Sequence, residues 1–175
     1  MAGAIRDTEA AEIDAFLAEE KRLDGVPLWH DSAYPGEKSA VWNIHDSLDI
    51  VRAALRFRCP LVNRAWPSVS MVFRDNVIWR IDLVGPDVWK PNPAGAAELG
   101  LPPEVWGSHS HTWPDNREHL LSQDQWGLPY RRPLPPAIRR LPQAIASLAS
   151  AVNLLLEPGQ RWFDVPAQSE LFEGR

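Results

Sequence analysis

The chain has 175 residues, of which 45% are hydrophobic and 23% are charged, a composition typical of one globular domain rather than a disordered chain. The net charge of −5 argues against binding nucleic acid mainly by electrostatic attraction, although local arginine groups keep an RNA partner possible. No apolar stretch approaches the roughly 20 residues of a membrane span, so no membrane association is expected. The single cysteine, Cys59, cannot form an internal disulfide, and the N-terminus lacks a signal-peptide pattern, which together favour a cytoplasmic location.

The first predicted element is a helix over residues 8–24. Asp7 or Thr8 can cap its start, and Gly25 would end it. Its apolar positions recur with rough helical spacing, at Ile13, Phe16, Leu17 and Leu23. The next segment, residues 26–40, is rich in proline and glycine and is predicted to be an irregular linker.

Residues 41–113 are expected to form the sheet region. Within it, residues 51–59 alternate between apolar side chains and a second set that is mainly arginine, which predicts a strand. A helix over residues 46–58 is the competing interpretation, because Leu48, Val51 and Leu55 also fit helical spacing. The regular alternation favours the strand.

Residues 68–83 contain the clearest local signal, two β-rich runs on either side of Asp75-Asn76. Both residues tolerate the left-handed backbone of a two-residue hairpin turn. With these residues at the centre of the turn, Met71 would lie opposite Arg80, and Val69 opposite Asp82. Apolar side chains occur on both faces, so this hairpin should be central in the sheet.

The remaining elements follow from proline, glycine and apolar periodicity. A long loop is predicted over residues 84–104, a strand from Trp106 to Trp113, an amphipathic helix over residues 138–157, and a loosely attached tail over residues 160–175. The predicted fold is a single α+β domain over residues 1–175. A small antiparallel sheet with the central hairpin 68–83 would be packed by the N-terminal and C-terminal helices.

Histidines and acids concentrate between residues 109 and 124, and this cluster predicts the functional site. Because side chains alternate along a strand, His109 and His111 would point to the same face, as a metal site or an acid–base pair requires. Zinc or manganese could be bound there, and the candidate ligands are His109, His111, His119 and Asp124. Asp82, on a neighbouring strand, could add a carboxylate or orient an imidazole.

Catalysis without a metal is the second interpretation of the same cluster. Imidazoles titrate near neutral pH, so one histidine could accept a proton from a phosphodiester reaction while the other donates one. The catalytic candidates are His109, His111, Asp82, Arg80 and Asp115, with Arg80 or Arg117 stabilising phosphate charge. Arg80 and Asp82 also have a structural interpretation, as an ion pair within the sheet.

Three short motifs resemble an uncharacterised family of small bacterial and prophage-encoded proteins. They are Arg-x-Asp-x-x-Gly at residues 80–85, Asn-Pro-x-Gly at residues 92–95 and His-x-His at residues 109–111, followed by a terminal amphipathic helix. The chain departs from the family pattern at Lys90, where members have histidine, at Ala94, at Trp113 and in an insertion over residues 98–105. The resemblance covers residues 68–157 and implies a mobile-element or phage setting, but no activity.

Two functions are therefore expected from the sequence. The first is a binding or regulatory module for a protein partner, which would use a cleft at the His-x-His strand. The second is a small hydrolase of the phosphodiesterase or ribonuclease type, for example a toxin, that depends on a metal or on the two histidines. The sequence leaves open whether the protein is an enzyme.

Overall fold

The computed structural model describes residues 7–123 and 125–167, and within them the chain forms three α-helices and two β-sheets. The helices are α1 (Asp7–Ala18), α2 (Trp113–Ser122) and α3 (Leu141–Ala151), with short 3₁₀ helices at Ala96–Leu99 and Pro158–Trp162. The strands are β1 (Lys21–Leu23), β2 (His30–Asp31), β3 (Glu37–His45), β4 (Val51–Pro60), β5 (Ser68–Phe73), β6 (Asn76–Asp82), β7 (Trp89–Pro91), β8 (Glu104–Trp106), β9 (His109–His111), β10 (Arg132–Pro133) and β11 (Leu154–Leu155).

Nine strands form the main sheet, in the order β10-β9-β6-β5-β4-β3-β1-β11, with β2 pairing to β3. The α+β prediction is confirmed, but the sheet is neither small nor wholly antiparallel, because β1 and β11 pair in parallel. The additional strands come from segments that were predicted to be helix or linker. Strands β7 and β8 form a separate two-stranded ribbon; β7 lies within the predicted loop 84–104, and β8 begins at its last residue and extends to Trp106.

Strand β4 confirms the alternation seen over residues 51–59. Its buried positions Ala53, Leu55, Phe57 and Cys59 line one face, which we call the core face, and its arginines lie on the other, which we call the open face. Helices α1 and α3 contribute to the same hydrophobic cluster as the core face. Burial raises the pKa of the Cys59 thiol to about 11, so this thiol is unreactive at neutral pH.

The hairpin formed by β5 and β6 turns one residue earlier than predicted. Phe73 pairs with Asn76, so the turn residues are Arg74 and Asp75, with φ of 45° and 69°. A slip of one residue exchanges the two faces of a strand. The earlier turn alone would move each cross-strand pair by two residues and keep the faces, but a register irregularity between Met71 and Val72 leaves a net slip of one. Arg80 therefore lies opposite Ser70 rather than Met71, and Asp82 lies opposite Ser68 rather than Val69. Val69, Met71 and Phe73 of β5 turn to the core face, and Arg80 and Asp82 are left on the open face.

The two long predicted helices are shorter in the structure. Helix α3 spans Leu141–Ala151, because Pro142 suits a first turn and the chain then enters β11. Helix α1 ends at Ala18, and the predicted last turn forms β1, which pairs with β3 and β11. No helix among the described residues is long and apolar enough to cross a membrane.

Lys21 lies three residues beyond the end of α1, and no sequence pattern indicated a role for it. Its side chain is fully buried, and Nζ donates to the carbonyls of Phe16, Leu17 and Glu19 at 2.5, 3.2 and 2.5 Å. These carbonyls belong to the last turn and exit of the helix, which otherwise lack partners. Burial lowers the pKa of Lys21 to about 8.

Replacing Lys21 with methionine is expected to lower the free energy of unfolding by about 2–3 kcal/mol, because buried carbonyls lose a charged donor while the side-chain volume is kept. Urea unfolding followed by circular dichroism measures the change. Lys90→Met is the matched control, since Lys90 is exposed and should shift the free energy by less than about 0.5 kcal/mol. Equal stability of Lys21→Met and wild type would contradict the assigned role.

Candidate metal centre

The site forms where β9 pairs with β6. In this antiparallel register Asp82 lies opposite His109, and Arg80 lies opposite His111, so all four side chains occupy the open face. The predicted strand from Trp106 to Trp113 is divided here. Gly107, with φ of 74°, separates β8 from β9, and α2 begins directly after Thr112.

Three of these side chains converge. The Nε2 atoms of His109 and His111 lie 3.7 and 3.6 Å from Oδ2 of Asp82, and one ligand atom from each residue falls within 4.8 Å of the others. Both imidazoles are buried, and the Asp82 side chain is 13% exposed. The distances are too long for hydrogen bonds but suit three ligands around a small cation.

Backbone carbonyls fix the orientation of both imidazoles. Nδ1 of His109 donates to the carbonyl of Gly107 at 2.9 Å, and Nδ1 of His111 donates to the carbonyl of Leu128. A neutral imidazole that donates through Nδ1 carries its lone pair on Nε2. Both lone pairs are thus directed towards Asp82, the arrangement that metal-binding histidines commonly have.

The protonation states suit a cation as well. Burial lowers the pKa of His109, because desolvation disfavours the imidazolium ion more than the Gly107 carbonyl and Asp82 favour it. Burial alone would raise the pKa of Asp82, but interactions with His111 and Arg80 outweigh it and bring this pKa below its usual value. At neutral pH the site therefore offers a neutral His109 and an ionised Asp82.

Arginines complete the surroundings of the carboxylate. Arg80 donates through Nε and Nη2 to Oδ1 of Asp82 at 2.9 and 2.8 Å, so Oδ1 is occupied while Oδ2 faces the histidines. Arg131 interacts electrostatically with both Arg80 and Asp82, and its Nη1 donates to the carbonyls of Pro91 and Pro129. The predicted ion pair of Arg80 and Asp82 is present, and one of its members also faces the histidines.

Two asparagines that the sequence analysis missed hold the segment next to His111. Asn116 is fully buried, bonds the carbonyls of Thr112 and Tyr130, and accepts from the Tyr130 amide. Asn92 accepts from the Arg131 amide at 2.7 Å and donates to the Arg131 carbonyl. The available signal for Asn92 was its place in the Asn-Pro-x-Gly motif; Asn116 had no comparable signal.

Other predicted site residues lie apart from this group. Asp115, at the start of α2, accepts hydrogen bonds from Thr112 and Arg132. His119, further along α2, packs against the ring of Tyr130, which lies beyond the helix. Arg117 pairs with Asp14 and Glu118. Asp124 lies outside the described residues. Within the described part of the chain, the residue that joins the two histidines as a candidate third ligand is Asp82, not His119.

The geometry fits a divalent transition metal. Ligand atoms about 2.0–2.2 Å from a tetrahedral ion are separated by about 3.4 Å, close to the 3.6 and 3.7 Å observed here. Two imidazoles and one carboxylate suit zinc, manganese or iron(II). Three protein ligands leave at least one position for water or substrate, as in catalytic rather than structural sites.

No family model matches the chain, and neither the curated proteins nor the solved structures include a significant match. The resemblance to prophage-encoded proteins therefore stays a prediction. The geometry of Asp82, His109 and His111 is the feature of this chain that points to a function.

Proposed function

We propose that the protein is a metal-dependent hydrolase that holds a divalent ion through Asp82, His109 and His111. The observation that carries this proposal is the convergence of two free Nε2 atoms and one carboxylate oxygen within 4.8 Å. Each imidazole is already oriented by a backbone carbonyl, and the carboxylate by Arg80. Side chains held in this way need little rearrangement to bind an ion.

A divalent ion at this position would lower the pKa of a coordinated water and so supply a nucleophile near neutral pH. The chain's own residues position the ion and its surroundings. The Gly107 and Leu128 carbonyls prevent the imidazole rings from rotating, and Arg80 keeps Oδ1 of Asp82 away from the ion. Arg80 also leaves a positive charge beside the site for an anionic transition state.

The test compares metal-free protein with protein reloaded with zinc or manganese. Hydrolysis of bis(p-nitrophenyl) phosphate and of p-nitrophenyl acetate is followed by absorbance. At least one loaded form is expected to hydrolyse one substrate 100-fold or more faster than metal-free protein, in line with the several kcal/mol that a metal contributes. Activity with zinc, which has no redox chemistry, would distinguish hydrolysis from the oxygenase chemistry that iron(II) supports on similar ligands.

His119→Ala serves as the control, because His119 lies outside the group of three ligands and should leave this activity unchanged. Equal rates for metal-free and every loaded form would contradict the proposal.

One observation favours the second candidate, a binding or regulatory module. Trp89 and Trp106 are ladder partners on the ribbon of β7 and β8 and are 51% and 56% exposed. Exposed tryptophans are common anchors of protein interfaces. A protein partner, such as one encoded with a mobile element, would then bind there, and Trp89→Ala with Trp106→Ala would abolish its capture while metal content stays unchanged.

A further inference from the structure

We infer that the substrate of this centre is a phosphodiester, held by an anion site formed by Arg56, Ser70 and Arg80 on the open face. The inference rests on the proposed hydrolase function and adds the class of substrate to it. It also assigns a role to Arg56, which lies two strands away from Asp82 and three strands away from the histidines.

Strand register places the anion site beside the metal ligands. Arg56 of β4 pairs with Ser70 of β5, Ser70 pairs with Arg80 of β6, and Arg80 pairs with His111 of β9. Residues paired in this way point to the same face, and neighbouring strands are about 4.8 Å apart. The four side chains thus form one row across the sheet that ends at a metal ligand.

The donors in this row are free to bind a ligand. Arg56 is exposed and Ser70 is half-buried, and neither side chain makes a hydrogen bond or ion pair within the described residues. Arg80 uses Nε and Nη2 for Asp82, which leaves Nη1 available. In the next row, Ser68 lies opposite Asp82 and its hydroxyl is equally unpartnered among the described residues.

The local charge is positive although the chain is acidic overall. Arg80 pairs with Asp82, and Arg131 interacts electrostatically with both. Arg56 adds a third positive charge in the row of Arg80, and a bound divalent ion would add two more. The neighbouring Arg58 is not available, since Glu37 binds it through both carboxylate oxygens. This balance selects a substrate with negative charge over a neutral ester or peptide.

Phosphate is the anion that this set of donors fits. Guanidinium groups match phosphate oxygens in pairs, and a tetrahedral anion presents several acceptors to donors on either side of it. In the reaction, the oxygen of one water forms a bond to phosphorus and the bond from phosphorus to one alcohol oxygen breaks. One water proton ends on the released alcohol, and the products are this alcohol and a phosphate monoester.

The experiment compares wild type with Arg56→Gln, and with Arg22→Gln as a control that removes one exposed charge elsewhere. Binding of bis(p-nitrophenyl) phosphate to metal-free protein is measured by calorimetry. Loss of one charge-assisted contact predicts about tenfold weaker binding for Arg56→Gln and no change for Arg22→Gln. In zinc-loaded protein, kcat/KM should fall about tenfold for the phosphodiester through KM, while the zinc content and the rate on p-nitrophenyl acetate stay at wild-type values.

Wild-type affinity of Arg56→Gln would overturn the inference, and so would an equal loss on p-nitrophenyl acetate, which would indicate a general structural effect. Binding to metal-free protein does not depend on hydrolysis. Phosphodiester binding that needs Arg56, in a protein without hydrolytic activity, would therefore reject the hydrolase proposal while retaining the anion site.

Discussion

Replacing Asp82 with asparagine is expected to weaken zinc binding by more than about 100-fold. The change removes the single negative charge among the three ligands while keeping the size of the side chain. Loss of a group that only orients a ligand costs about 10–100-fold in affinity, so loss of a direct ligand should exceed that range. Competition with a chromogenic chelator at pH 7.5 measures the dissociation constant, and elemental analysis gives the stoichiometry.

The matched controls are Asp115→Asn and His119→Ala. Both residues belong to the histidine-rich segment, but the structure places Asp115 against Arg132 and His119 against Tyr130. Their substitution should leave the dissociation constant for zinc within about threefold of wild type, since neither is a ligand. Retained affinity in Asp82→Asn together with lost affinity in His119→Ala would restore the ligand set that the sequence alone suggested.

The elements with strong local periodicity were predictable from the sequence. Strand β4 alternates strictly over its length, and the apolar stripe of α3 recurs every three or four residues, so the α+β class followed from these patterns. Strands β1 and β11 have two or three residues each and no such pattern. They form only because tertiary pairing brings segments from near the two ends of the chain together at one edge of the sheet.

The register of the central hairpin, unlike the alternation of β4, was not predictable from local sequence patterns. Asp75-Asn76 and Arg74-Asp75 are both chemically acceptable turns, and the structure selects the second, with left-handed φ at Arg74. Burial favours the final register, because this turn together with the irregularity between Met71 and Val72 places Val69 and Met71 in the core and Arg80 and Asp82 on the open face. The residues of a turn indicate its local backbone preference, but they carry no information about which strand face becomes buried.

The shared face of His109 and His111 was predictable, but the carboxylate that faces them was not. His-x-His spacing places two imidazoles on one face, whereas the partner depends on which strand pairs with β9. One available signal was overlooked. Thr112 caps α2 by accepting from the Asp115 amide, and Thr-x-x-Asp before a helix is a recognisable cap. It would have ended the strand at His111 and separated Asp115 and His119 from the ligands.

Zinc is expected to raise the thermal unfolding midpoint by about 5–10 °C near pH 7.5. An ion that binds only the folded state adds about 2.7 kcal/mol at a free concentration of 100 times its dissociation constant. For a chain of this size, each kcal/mol corresponds to roughly 2–4 °C. Scanning calorimetry of metal-free and zinc-loaded protein measures the shift, which should disappear in Asp82→Asn.

The same measurement across pH should show a loss of stability in acid. Burial keeps the pKa of His109 in the fold below its ordinary value of about 6.5. As the pH falls below 6.5, the unfolded chain therefore takes up a proton that folded His109 does not, and the metal-free fold loses stability until the pH passes the folded pKa. Protons also compete with zinc for Nε2, so the zinc-induced shift should shrink over the same interval. A shift that stays constant from pH 7.5 to 5.5 would mean that zinc binds to groups other than these histidines.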